Sequence, residues 1–435
     1  MGATILERMT TPNASTAGVT FGEALRVWGR IGLLSFGGPA GQIALMHREI
    51  VEERGWLSEK QYLAALNFCM LLPGPEAMQL ATYAGWKLHG TRGGLAAGLL
   101  FVLPGALIVL ALSMLYAAFG KIPVIEAVFF GLKAAVLAIV IEALLRVARR
   151  ALKSRGDWVI AGLAFLALFC FGLPFPLVIF AAALFGFWRG SGEAEAHEGA
   201  LPSWRELAGT VSLWASVWLA PLALIAMILG PDHVLTQVGV FFSKLAVVTF
   251  GGAYAVLAYM AQAAVETKGW LSAKEMIDGL ALAETTPGPL ILVTQFVGYF
   301  AGLRGMGSVW GGIAGAAVTL WATFAPCFLW IFAFAPYIEA IGKRPKLSGA
   351  LAAITAAVVG VILNLSLWFG LHVLFGRVER SAGWFRPWVP DWAMLDWFSL
   401  GLSILAAVAL LRLHFDVIGT LALCGALGVA WRLAL

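Results

Sequence analysis

Long apolar segments separated by short polar ones follow one another from residue 20 to the end of the chain. Most are long enough to cross about 30 Å of hydrocarbon, for which a helix needs about 20 residues. The pattern places them near residues 20–45, 61–85, 93–118, 122–147, 156–172, 174–189, 210–230, 235–262, 276–301, 307–335, 349–375, 396–412 and 414–433. We therefore predict an all-α polytopic membrane protein with about 13 transmembrane segments.

An internal repeat organises these segments. The stretch from Ser35 to Pro75 contains SFGGP, VEERGWLS and LLPGP, and the stretch from Thr249 to Pro289 contains TFGGA, VETKGWLS and TTPGP. At a constant offset of 214 they agree at 16 of 41 positions without a gap. Duplicated halves of this kind are common in secondary transporters.

The repeat and one polar connector divide the chain into four parts. We expect a cytoplasmic tail over residues 1–19, an N-terminal transmembrane repeat over 20–189, a connector with a linker helix over 190–234, and a C-terminal transmembrane repeat over 235–435. With a single linker helix between them, equivalent segments are seven spans apart and cross the membrane in opposite directions. The halves are then inverted, and both PGP segments can span or re-enter without changing that relation.

Composition and charge agree with a membrane protein. The chain is 61% hydrophobic and only 12% charged, against about 25% charged residues in a soluble domain. Lys and Arg cluster after residue 145, which favours a cytoplasmic N-terminus. The net charge of +5 does not indicate nucleic acid as a partner.

The two PGP sequences predict broken helices. Each proline lacks an N–H and clashes with the preceding turn, and the second proline suits the first turn of a new helix. A half-helix N-terminus in mid-membrane can attract an anion, and the FGG sequences let backbone approach closely. Glycine and proline also serve ordinary helix packing. Because both motifs are duplicated together, we favour a binding site at Gly37, Gly38, Pro73, Gly74, Pro75, Gly251, Gly252, Pro287, Gly288 and Pro289.

Cations and polar side chains at matched places suggest the ligand. Arg30 and Lys244 are related by the same offset of 214 and lie within apolar segments, where charge is costly and often functional. Snorkelling to the interface is the alternative. Two such cations suit a tetrahedral dianion. Hydrogen bonds to its oxygens are expected from Ser35, Thr249, Thr286, Gln79 and Gln295, with Asn67 and Thr285 as further donors.

Carboxylates beside the PGP motifs are candidates for coupling transport to a gradient. Glu76 follows the first motif and Glu284 precedes the second, and either could exchange a proton. A first-turn carboxylate favoured by the helix dipole is an equal alternative for Glu76. The driving force is left open between a proton gradient, a sodium gradient and the membrane potential alone. The oligomeric state, a homodimer included, is also open.

Enzyme chemistry has little support. The six histidines and four cysteines are scattered, and the sequence has no metal-ligand spacing, phosphate loop or GxSxG motif. We expect no cofactor, no metal and no catalytic residue. Lipid and a small anion are the expected partners.

The motifs also resemble a known family. SFGGPAGQIALMHREIVEERGWLSEKQY with LLPGPEAMQLATYAGW, and TFGGAYAVLAYM with ETKGWLS and TTPGPLILVTQFVGYFAGLRG, resemble the long, two-domain members of the chromate ion transporter family. The resemblance runs from about Phe21 to the C-terminus. It implies an inner-membrane protein of two homologous halves that exports chromate with membrane energy and confers chromate resistance. Sulfate or another tetrahedral oxyanion is the alternative cargo.

Family motif residues map onto both halves. They are Phe36, Gly37, Gly38, Pro39, Trp56, Pro73, Gly74 and Pro75, and in the second half Phe250, Gly251, Gly252, Trp270, Pro287, Gly288 and Pro289. Pro39 has Ala253 as its partner, so the resemblance does not require the two half-sites to be equivalent.

Overall fold

A computed structural model of the chain describes residues 18–36, 38–70, 72–120, 122–190, 203–249, 253–337, 345–413 and 415–434. The helices of the first part are α1 (Phe21–Leu34), α2 (Gly38–His47), α3 (Glu59–Cys69), α4 (Glu76–Phe119), α5 (Pro123–Ala151), α6 (Arg155–Phe169) and α7 (Phe175–Arg189). A linker helix, α8 (Trp204–Leu229), follows. The remaining helices are α9 (Val234–Val248), α10 (Ala253–Gln262), α11 (Ala273–Thr285), α12 (Val293–Met306), α13 (Val309–Phe334), α14 (Pro345–Leu374), α15 (Trp397–Leu411) and α16 (Val417–Ala434).

Shorter elements join these helices. Single π-helical turns, Arg48–Glu52 and Ala263–Thr267, follow α2 and α10. Short 3₁₀ turns are Leu290–Leu292, Ala335–Tyr337 and Trp392–Met394. Strand β1 (Val378–Arg380) pairs antiparallel with β2 (Trp388–Pro390) between α14 and α15. The helical prediction is therefore confirmed, with one small hairpin added to it.

Several helices are long and apolar enough to cross a membrane. Among the described residues these are α4, α5, α8, α13 and, within α14, Ser348–Leu374. Shorter apolar helices lie beside them in the sequence. The chain is a helical, multi-pass membrane protein, and the figure of about 13 spans stays a prediction.

Helix α4 has a sharp kink where the sequence predicted two segments. His89 and Gly90 leave helical geometry, and Gly90 has a φ of 62°. The arms on either side approach so closely that a Cβ on Gly85 would lie 2.3 Å from the carbonyl oxygen of Gly93. Glycine at these positions lets the chain reverse without a steric clash.

The structure divides two segments that the sequence predicted as continuous. Residues 20–45 contain a break after α1, and residues 235–262 contain one after α9. The hydroxyls of Ser35 and Thr249, each directly after its helix, donate to the carbonyls of Ile31 and Leu245 at 2.5 and 2.6 Å. Pro39, the second residue of α2, follows the first break, but the second half has Ala253 at this position, so a proline does not account for both breaks.

The duplicated GWLS turns have matching geometry. Gly55 and Gly269 have φ values of 60° and 61°. Trp56 N–H donates to Ile50 at 2.8 Å, and Trp270 N–H donates to Ala264 at 2.9 Å. Arg54 and Lys268 lie 5.9 and 5.8 Å from the rings of Trp56 and Trp270. The sequence repeat is thus also a structural repeat.

Contacts divide the chain into two compact units, each built from both sequence halves. The first consists of Met1–Ala111, Glu195–Gly252 and Thr286–Lys343, and in it α13 packs against α8, α9 and α12. The second consists of Leu112–Ala194, Ala253–Thr285 and Arg344–Leu435. In it α5 packs against α11, α14, α15 and α16, and α14 also packs against α6, α7 and α10.

Candidate functional site

The first PGP motif separates α3 from α4, as predicted. Helix α3 ends at Cys69, and α4 begins at Glu76, directly after Pro75. Between the prolines, Gly74 is buried with a φ of 120°, a conformation that favours glycine. A Cβ on Gly74 would lie 3.0 Å from the Sγ of Cys327, so the first motif packs closely against α13.

The second PGP motif has the same form. Helix α11 ends at Thr285, and Pro289 precedes a 3₁₀ turn that leads into α12. Gly288 has a φ of 98°. A Cβ on Gly105 would lie only 2.2 Å from the carbonyl oxygen of Pro287, so the second motif packs against α4. Each motif is therefore packed against a helix from the other sequence half.

Backbone hydrogen bonds join each PGP motif to the helix break of the other half, at the residue directly before FGG. The amide of Gly288 donates to the carbonyl of Ser35 at 2.9 Å, which we call crossing A. The amide of Gly74 donates to the carbonyl of Thr249 at 2.7 Å, which we call crossing B. Both crossings lie in the first compact unit. The carbonyls at the ends of α1 and α9 are satisfied in this way instead of by another helical turn.

The two crossings differ in their side chains. The Nε2 of Gln42, on α2, donates to the carbonyl of Gly288 at 2.6 Å and lies 3.4 Å from that of Ser35. The second half has Val256 at the matching position, which cannot donate a hydrogen bond. Crossing A is thus held by an amide side chain whose counterpart in the other half is apolar.

The predicted glutamine ligands are buried and engaged with backbone. The Nε2 of Gln79 donates to the carbonyl of Pro73 at 2.7 Å, and that of Gln295 donates to the carbonyl of Ala106 at 3.0 Å. Thr286 is buried as well. Ser35 and Thr249 are fully buried, and their hydroxyls donate to their own helices. In this conformation the side-chain donors of Ser35, Thr249, Gln79 and Gln295 are engaged with backbone carbonyls.

The matched cations lie on exposed surface. The side chain of Arg30 is 55% exposed, and Lys244 is also exposed. The Nε of Arg30 lies 3.5 Å from Oε1 of Glu49, whose side chain is completely buried, and Arg54 Nη1 donates to Oε2 of Glu49 at 2.7 Å. The second half has Ala263 in place of Glu49. Arg30 therefore has a resident carboxylate, and Lys244 has no matching one in the repeat.

The two coupling candidates lie beside the motifs, as the sequence requires. Glu284 is buried near the end of α11, and Glu76 is half-buried in the first turn of α4. Gly37, Gly251 and Gly252 lie outside the described residues. Gly38, the first residue of α2, has a φ of 69°.

Sequence reasoning missed Gln42 and Glu49 because neither is duplicated. It also placed Arg30 and Lys244 by depth alone. The buried residues of α1 are Ala24, Val27, Trp28, Ile31 and Gly32. This helical spacing leaves Arg30 off the buried face, so hydrophobic periodicity was the signal that could have predicted its exposure.

The arrangement can present polar backbone and hydroxyl groups to a small anion if the crossings open. The amides of Gly74 and Gly288 are engaged with carbonyls, so an anion would compete with those bonds. Helix N-termini after both motifs supply favourable dipoles for a negative charge.

Known proteins are similar to this chain in sequence. The sequence profile of the family described as chromate transporter matches residues 22–187 and 236–429, one region in each half. A chromate transport protein of Cupriavidus metallidurans is 33% identical over 338 residues, which cover 77% of this chain and 78% of the relative.

Two further relatives have the same kind of name and similar coverage. A chromate transport protein of Pseudomonas aeruginosa is 35% identical over 343 residues, 77% of each chain. A probable chromate transport protein of Synechococcus elongatus is 31% identical over 366 residues, 82% of this chain and 88% of the relative. No solved structure matches the chain. The two matched regions coincide with the two sequence halves, and the chain belongs to the chromate transporter family.

Proposed function

We propose that this protein is a secondary active transporter that exports chromate across the bacterial inner membrane and so confers chromate resistance. The observation that carries the proposal is the pair of crossings, in which duplicated breaks of opposite halves meet. Broken helices from two repeats commonly form the substrate site of secondary transporters. Membership of the chromate transporter family supports chromate as the cargo.

The proposed substrate site is formed by the crossings and flanked by Arg30 and Lys244. An oxyanion of charge −2 gains charge-assisted hydrogen bonds from cations and from hydroxyl and amide donors. When the oxyanion enters, its oxygens replace the Glu49 carboxylate as the partner of Arg30. The remaining predicted ligands are Ser35, Gly37, Gly38, Pro73, Gly74, Pro75, Gln79, Thr249, Gly251, Gly252, Thr286, Pro287, Gly288, Pro289 and Gln295.

Chromate uptake by everted membrane vesicles tests the site. Arg30→Ala and Lys244→Ala each remove one cation, and we expect loss of uptake while the protein remains in the membrane. Arg146→Ala is the matched control, because Arg146 is 51% exposed and pairs with Glu142 on its own helix. Uptake at the wild-type rate in both site variants would show that these cations do not bind the substrate.

Sulfate or another tetrahedral oxyanion is the second candidate cargo. It has the same shape and charge as chromate, so the same donors would bind it. Competition of chromate uptake by sulfate, molybdate and phosphate separates the two candidates. Stronger competition by sulfate than by unlabelled chromate would favour sulfate.

We also propose a multi-pass inner-membrane location with a cytoplasmic N-terminus, on the Lys and Arg distribution. Repeats over residues 20–189 and 235–435 form the transporter, with 190–234 as the connector. The relatives are named as transport proteins, so we infer that the chain is a transporter and not an enzyme. Glu76 and Glu284 remain candidates for coupling to a proton or sodium gradient.

A further inference from the structure

The second compact unit contains a buried charge cluster that the proposed anion site does not use. Asp278, on α11, is only 1% exposed. The Nζ of Lys133, on α5, lies 3.0 Å from its Oδ1, and the hydroxyl of Tyr116 donates to its Oδ2 at 2.5 Å. The Lys133 contact is close enough for an ion pair.

Such a cluster is costly in a membrane helix bundle. Taking a carboxylate and an ammonium out of water costs several kcal/mol per ion, and their attraction often only offsets that cost. Buried ion pairs are therefore weak evidence for stability, and charged residues inside membrane segments usually have a functional role. The cluster is not part of the duplicated scaffold, since the position that matches Asp278 in the first half is Ala64.

A cavity lies beside this cluster. It has a volume of about 740 Å³, and Lys133 lies in its wall. The Lys133 side chain is 14% exposed and that of Asp278 is 1% exposed, so the ammonium separates the carboxylate from the cavity. Within the cavity wall, Lys274 Nζ lies 2.6 Å from Glu126, and both of these side chains are largely exposed.

One helix that holds the cluster, α11, leads directly to the second PGP motif. Asp278 lies seven residues before Thr285, where α11 ends and the second motif begins. Tyr116 lies on the second arm of α4, and the kink at His89 and Gly90 separates it from the first motif. A change in the charge of Asp278 would alter the contact between α11 and α5. Helix α11 continues into the second PGP motif, whose Gly288 forms crossing A.

We propose that Asp278, held by Lys133 and Tyr116, is the proton-binding site through which a pH gradient drives anion transport. The proposal rests on the proposed transport function. A proton passes from water in the cavity to the Asp278 carboxylate, while Lys133 keeps its ammonium, so the net charge of the pair rises from zero to +1. The same proton leaves to the opposite side after the transporter changes conformation, and no electron is transferred.

Titratable and charged groups lie around Asp278 and in the wall of the cavity. They are Tyr116 on α4, Glu126 and Lys133 on α5, Lys274 and Glu275 on α11, and, in the cavity wall, His372 on α14, Asp396 and Arg432. Most of these are more exposed than Asp278. Lys274, which lies in the wall of the same cavity but outside the buried cluster, provides the matched control.

Two assays on the full-length protein in liposomes separate coupling from transport. The first measures exchange of chromate between the two sides at equal pH. The second measures chromate accumulation driven by an imposed pH gradient, with both sides above neutral pH so that the chromate dianion predominates. Exchange needs the anion site alone, whereas accumulation also needs the proton site.

For Asp278→Asn we expect exchange close to the wild-type rate and loss of gradient-driven accumulation. Lys274→Gln, the control in the same cavity, should retain both. Accumulation by Asp278→Asn at the wild-type level would overturn the proposal. Equal loss of exchange and accumulation would also overturn it, because the carboxylate would then be needed for structure or for the anion.

Tyr116→Phe provides a second test if Asp278→Asn does not reach the membrane. It removes only the hydroxyl that donates to Asp278, so the pH dependence of accumulation should shift while exchange persists. An unchanged pH dependence would overturn the proposal. Wild-type exchange without any response to a pH gradient would overturn proton coupling and leave chromate transport intact, whereas absence of wild-type exchange would refute the transport function itself.

Discussion

Crossings A and B have the same backbone bond but different side-chain support. In A the amide of Gly288 donates to Ser35, and in B the amide of Gly74 donates to Thr249. Only A also has Gln42, which donates to Gly288 from α2, because its repeat partner is Val256. Duplication therefore preserved the backbone framework, and Gln42 adds a bond at crossing A that Val256 cannot add at crossing B. We expect crossing B to open more readily.

The largest effect on this comparison should come from Gly105. A Cβ there would lie 2.2 Å from the carbonyl oxygen of Pro287 and would push the second PGP motif away from α4. Gly105→Ala should lower the free energy of unfolding by roughly 1–3 kcal/mol, the usual cost of overpacking. Thermal unfolding in detergent measures the change.

A glycine with open space around it provides the control for Gly105. Gly162, on α6, has nothing within 4 Å of its expected Cβ. Gly162→Ala should leave stability unchanged or raise it slightly, because alanine favours helix more than glycine does. Equal stability of the two variants would show that the second PGP motif can move away from α4 without a cost in stability.

The sequence predicted the positions of the PGP helix breaks better than the contacts between them. Proline chemistry identified the breaks at Pro73 and Pro287, since proline removes a donor and clashes within a helix. Pairing of Ser35 with Gly288 was not predictable, because a backbone amide and carbonyl carry no residue-specific signal. The exposure of Arg30 depends on which side of α1 it occupies, and depth within an apolar segment does not specify that side.

Removing the Gln42 amide should make crossing A resemble crossing B. Gln42→Met keeps the side-chain length and leaves the buried Gly288 carbonyl without this donor, which typically costs about 1–3 kcal/mol. Hydrogen exchange measures the result at single amides. In the wild type we expect slower exchange at Gly288 than at Gly74, and in the variant similar exchange at both.

Gln237→Met is the control for this substitution. Gln237 also donates to a backbone carbonyl, that of Asp232 at 3.0 Å, but this bond is exposed and water can replace it. Its exchange pattern at Gly74 and Gly288 should match the wild type. Faster exchange at Gly288 than at Gly74 in the wild type would contradict the view that crossing A is the firmer one.

The smallest expected effect concerns the end of α2, the helix that carries Gln42. His47 Nε2 lies 2.6 Å from Glu59 and Nδ1 lies 3.0 Å from Glu52, whereas the second half has Ala261 in its place. The hydrogen bond with Glu59 raises the pKa of His47 above its ordinary value of 6.5, against a smaller lowering by burial. A raised pKa in the folded state means that the protonated form stabilises the fold. This contribution is complete below pH 6.5, the unfolded value, and is lost as the pH rises through the raised pKa.

His47→Gln should therefore lower the unfolding temperature at about pH 6 and have little effect at about pH 9. In a Glu59→Gln background the same substitution should show a much weaker pH dependence. An equal loss at both pH values would mean that His47 supports α2 through packing alone, and the difference between the two halves at this position would then be one of shape and not of charge.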